Sequence, residues 1–203
     1  GTMNDGPYGQ PMRRPNRRSI RLRRYDYTHP GAYFVTLCTL GRACLFGDVV
    51  DGKMRLNAAG RIVRQCWQQI PTHFPNAALD DFVVMPNHVH GIIVLTDTNV
   101  VGATHASPQP HENASPARPH GPQRRSVASI VGSFKSAVAR RINALRDTPG
   151  ASFWQRNYYE HIIRDDESLN RIRQYILDNP MRWAMDRENP ATVQPEPEDI
   201  WRT

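Results

Sequence analysis

The sequence predicts a single domain of mixed strand and helix, organised around the stretch from Asp81 to Leu95. Three observations carry that expectation. Asp81-Phe-Val-Val and His88-Val-His-Gly-Ile-Ile-Val-Leu95 are apolar, β-branched runs joined by Met85-Pro86-Asn87, a turn in which Pro86 and Asn87 supply a chain reversal. Residues 57–69 and 126–145 instead place their apolar side chains at helical spacing. At 203 residues with 39% apolar content, the chain has the material for one substantial core.

The elements follow in order. Residues 1–24 read as a flexible basic arm, rich in Pro, Gly and Arg. Tyr33 to Thr39 is a strand by its β-branched and aromatic content. Leu45-Phe46 and Met54-Arg-Leu56 flank a Gly/Asp turn and predict a small hairpin. Asn57 caps a helix to about Gln69, with Ile62, Val63, Cys66, Trp67 and Ile70 on its apolar face and Pro71 as its stop. Strands are expected over Leu79–Met85 and His88–Leu95. Residues 96–125 hold five prolines among polar residues and read as a long loop, in which His105, His111 and His120 are read as solvated. Ser126 opens an amphipathic helix to Leu145, its stripe formed by Val127, Ile130, Val131, Phe134, Val138, Ile142 and Leu145. A strand follows at about 159–163. Asp165 or Asp166 caps a last helix that runs to Asn179, ahead of Pro180, and buries Leu169, Ile172 and Ile176. The main domain is thus expected over residues 25–187, with an irregular tail over 188–203.

Charge and cysteine usage narrow the function classes. The net charge is +7 and the pI about 9.8, which points to a polyanionic partner. Seven arginines crowd residues 13–24, among them Arg17, Arg18, Arg21, Arg23 and Arg24; such a run can neutralise phosphates. Lys135, Arg140 and Arg141, on the polar side of the helix that Ser126 opens, are further candidates to line a nucleic-acid groove. Cys38, Cys44 and Cys66 are odd in number and have no C-x-x-C spacing, which argues against a disulfide framework or a zinc ribbon. No run approaches a membrane span and no signal peptide is recognisable. The expectation is a cytoplasmic, nucleoid-associated protein with no membrane partner.

The chemistry concentrates on two imidazoles and a phenol. Side chains alternate faces along a strand, so His88 and His90 point the same way from what reads as the exposed start of a strand, and the pair suits two cis ligands of one divalent metal. On the last helix Tyr175 and Asn179 lie one turn apart, about 40° around the axis, at the border of the apolar stripe. A metal at the histidines would polarise a phosphate oxygen, the Tyr175 hydroxyl would attack phosphorus to form a covalent phosphotyrosine, and Asn179 would complete the metal shell through its amide oxygen. Read by spacing alone, Tyr175 is also an amphipathic aromatic at the edge of a core, its hydroxyl hydrogen-bonded. Tyr158 and Tyr159 are rival nucleophiles, read instead as packing and substrate contacts.

Here the chain resembles a known family. Ser19-Ile-Arg-Leu-Arg-Arg-Tyr-Asp-Tyr27, Pro30-Gly-Ala-Tyr-Phe-Val-Thr36, Val84-Met-Pro-Asn-His-Val-His-Gly91, Trp154-Gln-Arg-Asn-Tyr-Tyr-Glu-His-Ile-Ile-Arg164 and Tyr175-Ile-Leu-Asp-Asn-Pro180 together resemble segments of the REP-associated tyrosine transposases, a bacterial branch of the single-tyrosine HUH transposases. The resemblance implies an α+β, ferredoxin-like HUH endonuclease domain, an antiparallel sheet with helices packed on it. It implies His88, His90 and Asn179 as ligands of Mg2+ or Mn2+, Tyr175 as the nucleophile, and Gln155, Arg156 and His161 as DNA contacts. It further implies cleavage and rejoining of single-stranded DNA at imperfect repeat hairpins through a 5′-phosphotyrosine, by a monomer or a homodimer. Relatives from insertion sequences often carry Gln at the third ligand position, so Asn179 keeps the amide with a shorter reach. The loop over 96–125 departs from the family pattern.

Two other readings fit the same residues. One is a metal-dependent phosphoesterase that uses activated water. The other is a domesticated DNA-hairpin binder that no longer cuts.

Overall fold

The computed structural model describes residues 29–96 and 125–196. The basic arm over 1–24, nearly all of the loop over 96–125 with its three histidines, and the end of the tail lie outside the described residues. The elements run β1 (Gly31–Cys38), β2 (Gly47–Val50), β3 (Lys53–Leu56), α1 (Ala58–Gln68), α2 (Ile70–His73), β4 (Ala77–Val84), β5 (His88–Leu95), α3 (Val127–Leu145), β6 (Tyr159–Ile163) and α4 (Asp166–Asp178).

β4, β5, β1 and β6 form one four-stranded sheet in that order, and every neighbouring pair is antiparallel. With α1 and α3 as the crossovers, this is the βαββαβ arrangement of a ferredoxin-like α+β domain. The β2–β3 hairpin is inserted between β1 and α1. It holds its place through main-chain bonds, the Phe46 N–H donating to Pro86 and the Asn57 N–H to Phe46.

Local chemistry sets the helix boundaries. Asn57 caps α1 by accepting from the Gly60 N–H, Ser126 caps α3 by accepting from Ser129, and Asp165 caps α4 by accepting from Ser168. Each cap satisfies an N–H that the first helical turn leaves without a partner. Asp166 and Glu167 add negative charge at the start of α4, where the helix dipole favours it. Pro71 does not act as the expected stop. The chain breaks at Gln69 and restarts at once as α2, with the proline inside the first turn, where its missing N–H costs nothing.

The alternation of β5 divides the molecule into two cores. Val89 and Ile93 face α1 and α3 with Tyr33, Val35 and Leu37 of β1. Trp67 of α1 is wholly buried there, stacked on Phe82 and set edge-on to Phe134. Gly91 makes this possible: a Cβ at that position would lie 2.3 Å from the Trp67 ring. On the other face Phe34 and Ile92 meet Ile172 and Ile176 of α4. Strand β5 thus turns Ile92 and both histidines towards α4.

Two expectations are corrected or refined here. His88 and His90 are not at an exposed strand start; they are 0% and 4% exposed. The reason is tertiary: α4 and the segment after it lie over that end of the sheet. Residues 187–196 form no strand or helix, yet they are tied down by ion pairs of Arg42 with Glu188 and of Arg182 with Glu196. No helix among the described residues is long and apolar enough to cross a membrane.

Candidate metal and nucleophile site

The site assembles where the start of β5, the end of α4 and the irregular chain after α4 converge. The two imidazoles stand on one face of β5 with ring centroids 4.4 Å apart. His90 is sandwiched from the side, stacked on Phe34 at 5.4 Å and edge-on to Tyr175 at 5.2 Å. Its Nδ1 lies 2.8 Å from the Thr36 hydroxyl on β1, the residue that faces it across the strand pair. His88 Nδ1 lies 2.8 Å from Asn87 Oδ1, and Trp183 leans against its ring with centroids 6.1 Å apart.

Tyr175 reaches the histidines from α4. Its hydroxyl is 3.3 Å from His90 Nε2, and Phe34 braces its ring edge-on. The position at the border of the buried stripe accounts for this placement: Ile172 and Ile176 seat the helix on the sheet, and Tyr175 projects beside them.

One ligand candidate was not visible in the sequence. Asp186 is buried after α4 with its Oδ2 3.6 Å from His88 Nε2. The Glu188 N–H donates to its other oxygen, Oδ1, at 2.6 Å, which aims Oδ2 at the histidines. His88, His90 and Asp186 offer ligand atoms that all lie within 4.8 Å of one another. Asn179, the C-cap residue of α4, is buried with its amide beside His88 and Tyr175.

The donor set fits a divalent cation. His88 Nε2, Asn179 Oδ1 and Asp186 Oδ2 are all buried and have no hydrogen-bond partner. Buried polar atoms are normally paired, because leaving one unpaired costs about 1–3 kcal/mol. Three such atoms in one place, together with His90 Nε2, form the mixed imidazole and oxygen shell that first-row divalent ions accept.

The electrostatics agree with that fit. Burial pushes the His88 imidazole down to about 4, against the pull of the Glu188 carboxylate upwards. Burial also holds His90 well below the usual range, with His88 adding to it. Both rings are therefore neutral at physiological pH, the form that ligates metal. Burial, and then the charge of Asp186, push the Tyr175 phenol upwards, so without a cation it stays protonated.

The other predicted residues are distributed unevenly. His161 is the cross-strand partner of Phe34, and so lies on the same sheet face as the site. Gln155 is at the same end of the sheet: its N–H donates to Cys38, the register partner of His88, and exposed Arg156 follows it. Lys135 donates through Nζ to the carbonyls of Gln155 and Arg156 at 2.6 and 3.3 Å, which makes it a strut under that loop. Arg140 and Arg141 are exposed on α3, on the opposite side of the sheet from the histidines, with Arg141 donating to Gln65 and Cys66. Arg17, Arg18, Arg21, Arg23 and Arg24 lie outside the described residues. Tyr159 packs with Phe34 in the smaller core, whereas Tyr158 packs against the larger one.

Comparison with known proteins places this arrangement. No family model matches the chain. An uncharacterised protein of Haemophilus influenzae is 42% identical over 175 residues, covering 85% of this chain and 92% of that protein. A second Haemophilus influenzae protein, provisionally named a REP-associated tyrosine transposase, is 24% identical over 163 residues, 78% of this chain and 75% of the other. Among solved structures, that of a REP-associated tyrosine transposase bound to a REP hairpin superposes with a TM-score of 0.53 at 17% identity, covering 80% and 74% of the two chains. The chain therefore belongs to one family with the 42%-identical Haemophilus protein, and its α+β fold is that of the REP-associated tyrosine transposase structure.

Proposed function

We propose that this protein is a metal-dependent, single-tyrosine DNA transposase and endonuclease. In this reading it cuts and rejoins single-stranded DNA at repeat hairpins, as the REP-hairpin complex of its structural relative invites. The observation that carries the proposal is the 3.3 Å approach of the Tyr175 hydroxyl to His90 Nε2, beside three buried, unpartnered ligand atoms.

His88, His90 and Asp186 would hold a divalent cation, with Asn179 Oδ1 as the amide ligand, and Mg2+ or Mn2+ bound there would supply Lewis-acid polarisation of the scissile phosphate. Tyr175 Oη forms the new bond to phosphorus, the bond from phosphorus to O3′ breaks, and the phenolic proton is balanced by the proton taken up at the departing O3′. The products are a 5′-phosphotyrosine and a free 3′-hydroxyl. The phosphotyrosine keeps the energy of the broken diester, so a 3′-hydroxyl can reverse the step without ATP. The rigid seat of α4 on the sheet keeps the phenol aligned. Gln155, Arg156 and His161, at the same end or face of the sheet, contact the DNA.

The test is incubation with a single-stranded repeat hairpin and Mn2+, followed by a denaturing gel. A covalent protein–DNA adduct that disappears in Tyr175→Phe is expected. Cleavage without an adduct would replace this reading with the activated-water phosphoesterase, and metal-independent binding without cleavage would replace it with the hairpin binder.

A further inference from the structure

Asn87 is the residue on which the metal pocket and the chain after α4 both depend. It is 0% exposed and sits in the turn immediately before His88. Its side-chain nitrogen donates to two main-chain carbonyls, Arg42 at 3.0 Å and Glu188 at 2.6 Å. An amide nitrogen has two hydrogens, so both are spent. The orientation of the amide is thereby decided: Oδ1, which can only accept, is the atom that faces His88 Nδ1 at 2.8 Å. The hydrogen between them must belong to the imidazole. His88 is thus the Nδ1–H tautomer, and its Nε2 lone pair points towards Asp186.

We infer that Asn87 is a positioning residue that sets the His88 tautomer required for metal ligation and, with the same amide, holds the Asp186-bearing segment against that ligand. The inference rests on the metal-site reading above. Two features support the second half of it. Glu188, whose carbonyl Asn87 binds, also donates its N–H to Asp186 Oδ1. Arg42, the other carbonyl partner, grips the same segment through the Arg187 carbonyl and the Glu188 carboxylate. One amide therefore relates two ligands from distant parts of the chain, as partners behind a metal shell do elsewhere. Thr36 cannot decide the matter for His90 in the same way, since a hydroxyl both donates and accepts.

The test combines the ring-nitrogen NMR shifts of His88 in the metal-free full chain at pH 7 with Mn2+ affinity measured by EPR. The wild type should show Nδ1 protonated and Nε2 bare. Asn87→Ala removes the acceptor, so His88 should move towards the Nε2–H form that free histidine prefers in water, and Mn2+ should bind about 10- to 100-fold more weakly. Asn87→Asp keeps an acceptor beside His88 Nδ1 but loses both N–H donors and sets an oxygen against the Arg42 and Glu188 carbonyls, so it should retain the Nδ1–H form while Mn2+ binding weakens through release of the Asp186 segment. A wild-type His88 protonated at Nε2 would overturn the inference, and so would an Asn87→Asp variant that loses the Nδ1–H form or binds Mn2+ as tightly as the wild type. If Asn87→Ala does not fold, the wild-type spectrum and Asn87→Asp still decide. A wild type that binds no Mn2+ would overturn the metal-site reading itself, whereas binding that Asn87→Ala leaves unchanged would overturn only the role of Asn87.

Discussion

At the scale of single residues, His88 couples the site to pH through folding as well as through chemistry. Its imidazole is held at about 4 in the folded protein against an ordinary value near 6.5 in an unfolded chain. Between those values the unfolded state binds more protons than the folded one, so stability falls as pH falls through that window. From pH 7 to pH 5 this one group should remove about 2 kcal/mol, since each unit of displacement corresponds to about 1.4 kcal/mol. Urea unfolding at the two pH values checks this, and His88→Gln should flatten the difference. Asp186 invites a second test. Asp186→Asn keeps the shape but removes the charge, and should weaken Mn2+ binding about tenfold or more without unfolding the domain, measured by EPR titration and by thermal melting. An unchanged affinity would remove Asp186 from the ligand set. For Tyr175→Phe the hydroxyl is the sole loss, and its contacts are the long 3.3 Å approach to His90 and the Asn179 amide. Stability should shift by less than about 1 kcal/mol while strand cleavage falls below detection.

At the scale of elements, the site depends on how tightly two packing faces are held. Gly91 lets Trp67 lie directly on β5, where an added Cβ would sit 2.3 Å from the ring. Gly91→Ala should therefore cost about 1–3 kcal/mol as an overpacked core, read by chemical denaturation, with α1 displaced and the histidine pair one residue away disturbed. α4 is fastened differently. Arg173 makes a bidentate ion pair with Asp80 on β4 at 2.9 and 2.6 Å, near the register shift between Leu79 and Phe82. The pair is partly exposed, so solvent screens it and it serves more to orient α4 than to stabilise the fold. The helix positions were legible from the sequence because capping and periodicity are local: Asn57, Ser126 and Asp165 each accept a bond from an N–H three residues on. The break at Gln69 was not, because a proline reads alike as a stop and as a first-turn residue.

At the scale of the whole molecule, the arginine-rich residues 13–24 and the folded domain are expected to have separable tasks. Seven arginines within residues 13–24 can neutralise phosphates but carry no sequence code. Deleting residues 1–24 should weaken hairpin binding and flatten the plot of log affinity against log salt, leaving cleavage chemistry intact at low salt. An unchanged slope would mean that the arm does not touch DNA. The strands, the helices, the shared face of His88 and His90, and the border position of Tyr175 are readable in the sequence, because each follows from a period of two or 3.6 residues along a short stretch. Long-range packing buries the histidines, sets Lys135 under a loop and brings Asp186 beside His88. Asp186 lies in a segment without helix or strand, and its place is set by Arg42 and Asn87 gripping residues 187 and 188 from far away in the chain; contacts between such distant, irregular segments leave no period in the sequence to read.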